Sequence, residues 1–352
     1  MSRLPVAAAL LVAVPAVVTA CSAGGSASAP SGSATVASAR TARTAQVPTR
    51  PPSTAQPRAG HARAQVTTSV VRWRLPEPVG REVVVPAGPD SAVVAGGLVS
   101  GDASTSRAYE LDLRTGARRP LPALPVPVHD AAGARLGGRV VVVGGGNTTE
   151  QGAVQRLSPT GVSWRVGVGL PRPRSDLVTA AVGGSVFVLG GYDGVGSPTE
   201  VLASSHGHPF RVAGHLAAAV RYPAVAVVRG AVWLFGGEQD GAMVAVVQRF
   251  DPSTGHTRVV AELPRPTGHA AAVTTGRQVL VVGGRLGPDT VTSAMEEFDP
   301  SSGRFRRAGR LPHPLADAGV VQRGRVAYLL GGETPALTST VVRVSGLTRP
   351  VH

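Results

Sequence analysis

An apolar run that stops at two adjacent glycines recurs six times along this chain, and its spacing constrains the fold more than any other feature. The first glycines of the pairs are Gly96, Gly144, Gly190, Gly236, Gly283 and Gly331, separated by 48, 46, 46, 47 and 48 residues. A fixed period in this range marks a propeller or a solenoid, in which each repeat is one supersecondary unit that cannot bury its apolar face alone. The second glycines, Gly97, Gly145, Gly191, Gly237, Gly284 and Gly332, complete a set read as structural. A glycine at a strand end admits backbone angles and close approaches that a Cβ forbids.

One repeat shows the internal plan. In "PAVAVVRGAVWLFGGEQDGAMVAVVQRFDPSTGHTRVVAELPRPTGH", Pro223 to His269, a short strand at Ala224 to Val228 meets a turn at Arg229-Gly230. A stronger strand at Ala231 to Phe235 then reaches the glycine pair. After a polar loop come a third strand, Val244 to Phe250, the turn "DPSTG" and a last strand through Val259 and Val260. Four strands joined by tight turns form one antiparallel blade. The strand before each glycine pair is apolar at nearly every position, as expected where both faces are covered by neighbours. No stretch beyond the N-terminus holds an amphipathic helical period, so the expected class is all-β.

The two ends of the chain fit together. The last repeat supplies three strands and then stops, whereas "SVVRWRLPEPVGRE" at Ser69 to Glu82 matches the outer-strand pattern of "VSWRVGVGLPRPRSD" at Val162 to Asp176. The expectation is a six-bladed ring over residues 66–348, with an N-terminal strand completing the last blade and removing the sheet edges of an open stack.

Ahead of that ring lie two segments of different character. "MSRLPVAAALLVAVPAVVTAC" has Arg3 before an apolar core and ends in Val18-Thr19-Ala20-Cys21. Its length and flanks suit a signal peptide better than a membrane span. Residues 22–65 are rich in Ala, Ser and Pro, with Arg40, Arg43, Arg50, Arg58 and Arg63 and no acid, a composition that cannot offset the entropy of ordering. They are read as a disordered linker. Cys21 is the only cysteine, which excludes an intramolecular disulfide and leaves no second thiol for metal or nucleophilic chemistry. The formal charge is +14 and all 35 basic residues are arginine. These arginines are scattered through the repeats and aromatic content is 4%, so a nucleic-acid partner is not expected.

These residues bring family resemblances. The four residues ending at Cys21 look like a bacterial lipobox, which implies residues 1–21 as a signal peptide, a lipid on Cys21 and residence on the outer face of the plasma membrane. The glycine pairs, Phe250 and Phe298 before Asp-Pro, the aromatics Trp73, Trp164, Phe210 and Phe305 and the "LPRPR" and "LPRP" exits resemble kelch repeats from about Thr67 to Val344. The departures are Arg118 and Thr257, which stand where the outer-strand tryptophan is expected. The whole is similar to a kelch-repeat β-propeller lipoprotein of a high-GC bacterium.

In such a blade the loop after the glycine pair and the loop entering the next blade emerge on one face, around the mouth of the central channel. Loops on a rigid scaffold are the default binding surface. The entry loops supply the ligand-binding candidates Arg81, His129, Asp130, Arg174, Asp176, Arg221, Tyr222, His269 and Asp317. The post-glycine loops add Asn147, Glu150, Tyr192, Asp193, Glu238, Asp240, Arg285, Asp289 and Glu333. Arginines beside carboxylates and a tyrosine suit an anionic sugar or a peptide terminus. The same charges could also simply pair with one another.

Enzyme motifs are scarce. No GxSxG, HExxH or P-loop occurs, and His206 and His208 in "SSHGHPF" have no third ligand fixed by sequence, so neither metal nor cofactor is expected. A copper radical oxidase of the galactose oxidase type resembles this fold, but its cysteine-tyrosine cofactor cannot form with the sole cysteine at position 21. Periplasmic sialic-acid mutarotases are similar six-bladed kelch propellers, and that resemblance would have His129, Arg174, Arg221 and His269 serve sugar anomerisation. The expectation is a monomeric, membrane-tethered binding or scaffold protein that docks a cell-envelope protein or glycan on one face. A sugar-acting enzyme is the alternative.

Overall fold

The computed structural model describes residues 65–350; the expected signal peptide, Cys21 and nearly all of the expected linker lie outside them. The described residues form strands and turns with no helix, in six four-stranded antiparallel sheets. Blade 1 comprises Val83–Pro86, Ser91–Ala95, Ala108–Asp112 and Arg118–Pro120. Blade 2 comprises Ala132–Leu136, Arg139–Val143, Val154–Leu157 and Trp164–Val166. Blade 3 follows with Val178–Val182, Ser185–Leu189, Glu200–Ser205 and Arg211–His215. Blade 4 holds Ala224–Val228, Ala231–Phe235, Val246–Asp251 and His256–Glu262, and blade 5 holds Ala271–Thr275, Gln278–Val282, Ala294–Asp299 and Arg304–Arg310. Three strands of blade 6, Gly319–Arg323, Val326–Leu330 and Val341–Ser345, are completed by Thr67–Val70 from the start of the chain.

The ring is therefore a six-bladed β-propeller closed by its N-terminal strand, with Thr67 opposite Ser345 and Val70 opposite Val342. The closing strand lies a few residues earlier than the sequence match places it. In blades 2 to 5 the outer-strand aromatic position falls six residues before a leucine: Trp164 before Leu170, Phe210 before Leu216, Thr257 before Leu263 and Phe305 before Leu311. The same spacing from Leu75 leads to Ser69, not Trp73. Trp73 instead lies past the strand, 6.4 Å from the Tyr328 ring and against Gly116 of blade 1, where a Cβ would come within 2.5 Å of the indole. It caps the seam between the last blade and the first.

Burial follows the blades. Each of six apolar clusters straddles two adjacent sheets, and the one at the closing seam joins Leu75, Val79, Val94, Tyr109, Leu111, Val321, Tyr328 and Leu330. The second strand of every blade is buried on both faces, which is why its sequence does not alternate. Polar struts also tie blades together. The buried amides of Gln155 and Gln248 each accept from one backbone N–H and donate to one carbonyl of the preceding blade's exit, at Val126 and Ala218 respectively, over 2.8–3.0 Å. Both residues leave no unmet group behind, as a buried amide requires.

The glycine pairs have a mechanical cause in the fold. All twelve adopt positive φ, and a Cβ at Gly236 would come within 2.0 Å of the Thr267 carbonyl entering the next blade. The second strand can thus pass under the neighbouring entry loop only without a side chain.

Candidate functional site

One residue at the entrance to each inner strand lies in the left-handed region: Arg81, Asp130, Asp176, Tyr222, His269 and Asp317, with φ between 51° and 59°. Their backbones form a closed ring. Asp130 N donates to Arg81 O, Asp176 N to Asp130 O, Tyr222 N to Asp176 O, His269 N to Tyr222 O, Asp317 N to His269 O and Arg81 N to Asp317 O, all at 2.8–3.2 Å. This collar fixes six Cα–Cβ vectors around the channel. Aspartate and histidine tolerate the left-handed conformation better than most residues, whereas arginine and tyrosine seldom adopt it. Part of the recurrence of acids at these positions is therefore a backbone requirement.

The side chains of the collar and of the post-glycine loops form one network. Arg81 reaches Asp130 Oδ2 at 3.2 Å and Glu333 Oε1 at 3.1 Å. The Tyr222 hydroxyl donates to the same Asp130 oxygen at 3.2 Å. Arg221 bridges Glu238 and Asp176, the latter at 3.4 Å. Arg285 bridges Asp317, at 3.1 Å, and Glu333. His269 contacts Asp317 through Nδ1 at 2.6 Å and Glu238 through Nε2 at 3.5 Å, while its ring stacks on Tyr222 with centroids 3.9 Å apart. Both Arg81 and Arg221 also lie over the Tyr222 ring, at 5.8 and 5.5 Å, and Arg221 lies over Tyr192 at 5.4 Å. His129 stands beside them, with Nε2 3.5 Å from Asp130 and Nδ1 2.8 Å from the Ser104 hydroxyl.

Five carboxylates thus face three guanidinium groups and two imidazoles, and burial sorts their protonation. Burial disfavours a charged His269, but its hydrogen bonds to Asp317 and Glu238 outweigh that and hold its pKa at about 9, so it is an imidazolium at neutral pH. Glu238 is drawn down to about 2, chiefly by the hydrogen bond from His269 and by Arg221. Burial pushes the opposite way on the adjacent pair Asp130 and Asp176. Both carboxyls are raised, Asp130 despite Arg81 and further by the nearby charges of Asp176 and Asp317. Burial, with those carboxylates, keeps Tyr222 protonated far above its ordinary range.

Below the collar the channel narrows to a cavity of about 130 Å³ lined by the six collar residues together with Glu82, Leu177 and Pro223. Six of the nine expected ligand-binding residues line it, and His129 and Arg221 join the network beside it. Arg174 does not: it is 2% exposed, and its guanidinium turns back into blade 3 to donate to the carbonyls of Gly190 and Glu200 at 3.2 and 3.0 Å. Among the post-glycine residues Glu238, Arg285 and Glu333 join the network directly, and all three occupy the second position after the first glycine of their pair. That shared position is a signal the sequence held. His206 and His208 lie at an outer turn, and among the described residues no group of acids, histidines and cysteines could hold a metal ion.

With the fold and mouth in view, comparison with known proteins adds three findings. The Kelch motif matches residues 266–312, from the exit of blade 4 to the exit of blade 5. A solved structure described as that of YjhT aligns with a TM-score of 0.65 and 17% identity, over 77% of this chain and 94% of its own. No curated protein matches the sequence.

Proposed function

From a kelch-repeat β-propeller with a self-paired polar mouth, we propose a membrane-tethered, extracytoplasmic binding protein that docks a protein or glycan on its mouth face. The observation supporting docking over engulfment is the size of the channel cavity behind the mouth. About 130 Å³ is well below the roughly 300 Å³ at which small-molecule pockets begin, so the mouth has room for one inserted polar group rather than a whole ligand. The rim offers the contacts. Arg81 and Arg221 are the most exposed charges of the network, at 21% and 31% of their side-chain surface, and each presents a guanidinium fork beside an aromatic ring. Tethering rests on the lipobox-like residues ending at Cys21 and on the linker composition.

The experiment is a thermal-shift screen of the Cys21→Ala chain against neutral and acidic monosaccharides and against larger cell-wall glycan fragments, with Arg221→Ala as the control. Docking predicts saturable shifts only with the larger fragments or an isolated partner protein, lost in Arg221→Ala. A shift with a free monosaccharide would defeat this reading. It would favour the second one, sugar anomerisation at the mouth. That alternative draws on Asp130, whose buried carboxyl is raised toward neutrality beside the Tyr222 hydroxyl, a pairing suited to proton exchange near pH 7.

A further inference from the structure

The face opposite the mouth has a different chemistry. The inner strands run away from the collar, so the hairpin turns joining each inner strand to the second strand lie at the far end of the channel. At these turns stand Arg135, Arg139, Arg229, Arg277, Arg323 and Arg325, against Asp90 as the acid of the same turns. Arg323 feels the like charge of Arg135 across blade 1. The mouth network, by contrast, balances its charges internally.

Between blades 4 and 5 this basic face opens into a cleft of about 320 Å³. Arg229 and Arg277, both exposed, flank it from neighbouring hairpins and have no hydrogen-bond or ion-pair partner among the described residues. Arg249 lies on the wall and makes only long contacts, 3.4 and 3.5 Å, with Asp251. Trp233 also lines the cleft. Its side chain is 6% exposed, and its indole N–H is buried without an acceptor. The carboxylate on the wall, Asp299, has one oxygen engaged by the Ser301 N–H and hydroxyl at 2.9 and 2.7 Å. Two exposed guanidinium groups without a protein partner, on neighbouring hairpins across one cleft, can present their forks to a single anionic acceptor.

The backbone at Arg229 points the same way. Its φ is 51°, in a turn where blades 2 and 3 place Gly137 and Gly183. A left-handed arginine costs roughly 1–2 kcal/mol relative to glycine, and such outliers tend to persist where the side chain is used.

The source of the anion follows from where the chain enters. Thr67 pairs with Ser345 at the end of the blade 6 third strand, and Gln65 lies against Gly346, so the described chain begins on this basic face. Whatever precedes residue 65 departs from there. We propose that the cleft between blades 4 and 5 binds the phosphate of an anionic phospholipid headgroup and seats the propeller on a membrane leaflet with its mouth turned away.

The test uses the full chain with Cys21→Ser, so that no lipid anchor contributes, in flotation with vesicles of phosphatidylglycerol and phosphatidylcholine or of phosphatidylcholine alone. Each arginine near an anionic surface contributes about 1 kcal/mol, so Arg229→Gly with Arg277→Gln is expected to lower partitioning onto the anionic vesicles by roughly 30-fold. Arg229→Gly alone also relieves the left-handed residue, so it is expected to weaken binding while leaving thermal stability equal or higher. Arg165→Gln with Arg211→Gln, exposed on the outer strands of blades 2 and 3, makes the same charge change elsewhere. If that control weakens binding as much as the cleft pair, the effect is net charge and the proposal falls. It falls equally if the cleft variants lose calorimetric binding of inorganic phosphate while the parent shows no preference for anionic vesicles, since the source is then a free phosphate.

Discussion

Glu82 gives the sharpest test of how this ring is closed. It directly follows the collar residue Arg81, where the other blades carry Ala131, Leu177, Pro223, Ala270 and Ala318. Its carboxyl lies in the seam between blades 6 and 1, beside Gly319 and Gly331, and neither oxygen completes a hydrogen bond. Burial raises its pKa from 4.5 to about 8, an effect only tempered by the backbone N–H groups of Glu82 and Gly319 that face it. The sign follows from proton counting. Between pH 4.5 and 8 the unfolded chain has lost this proton and the folded chain keeps it, so stability falls as pH rises across that window. At about 1.36 kcal/mol per pH unit the loss approaches 5 kcal/mol by pH 8, of which about 3 has accrued at pH 7. For a domain of this size that corresponds to a melting temperature lower by roughly 10 °C. Glu82→Leu, which installs the side chain found at Leu177, is expected to raise stability at every pH above about 5 and to flatten its decline toward pH 8. Glu82→Gln should remove the same slope without changing shape. The assay is calorimetric melting of parent and variants from pH 5 to 9. Parallel curves for all three would refute the claim that a neutral carboxyl is buried in the seam.

Other perturbations address separate parts of the structure. His269→Gln should remove stability that the imidazolium supplies below pH 6.5 and that the parent loses as pH rises through about 9, so the two melting curves should converge at alkaline pH. Arg174→Ala leaves the carbonyls of Gly190 and Glu200 without their donor and a cavity inside blade 3; urea denaturation is expected to show a loss of about 3 kcal/mol or more. Deleting residues 66–82 removes the outer strand of blade 6 together with Leu75 and Val79 and should make the domain protease-sensitive; an unchanged midpoint of unfolding would contradict closure by this strand. Cys21→Ala should shift the protein from the membrane to the soluble fraction of cells, and retention would indicate an uncleaved anchor.

The architecture was legible because its cause repeats. A carbonyl passes within van der Waals contact of each glycine pair, so every blade must write the same residues at the same place, and six copies reveal a period that one copy would hide. The closing strand was legible only in outline, because Trp73 imitates the outer-strand aromatic while serving as a cap on Gly116. At the mouth, sequence position located the collar but not the direction of each side chain. Arg174 lies two residues before Asp176 and shares its loop, and alternation alone would put both on one side; the left-handed backbone at Asp176 breaks that register, so Arg174 turns into the blade while Asp176 faces the channel. Periodicity predicts where a backbone goes; which polar side chains find one another across blades depends on distances between residues far apart in sequence, such as Arg81 and Glu333.

The two faces of the ring answer to different constraints, and that difference bears on how the whole molecule works. On the mouth face the collar forces six side chains toward one axis, so like charges there would repel at close range in a partly dry site, and Arg81 with the flanking Arg221 and Arg285 and the His269 imidazolium offset the acids until the network closes on itself. On the opposite face no backbone ring gathers the side chains. The hairpin turns splay outward into water, where unpaired arginines cost little. Positive charge can accumulate there without destabilising the fold, and the chain enters on that same side. Six of the charges in the net +14 belong to Arg3, Arg40, Arg43, Arg50, Arg58 and Arg63, outside the described residues; the remainder is compatible with a nearly balanced mouth, because arginines such as Arg229, Arg277, Arg165 and Arg258 are exposed where solvent or an anionic surface, rather than the protein, must answer them.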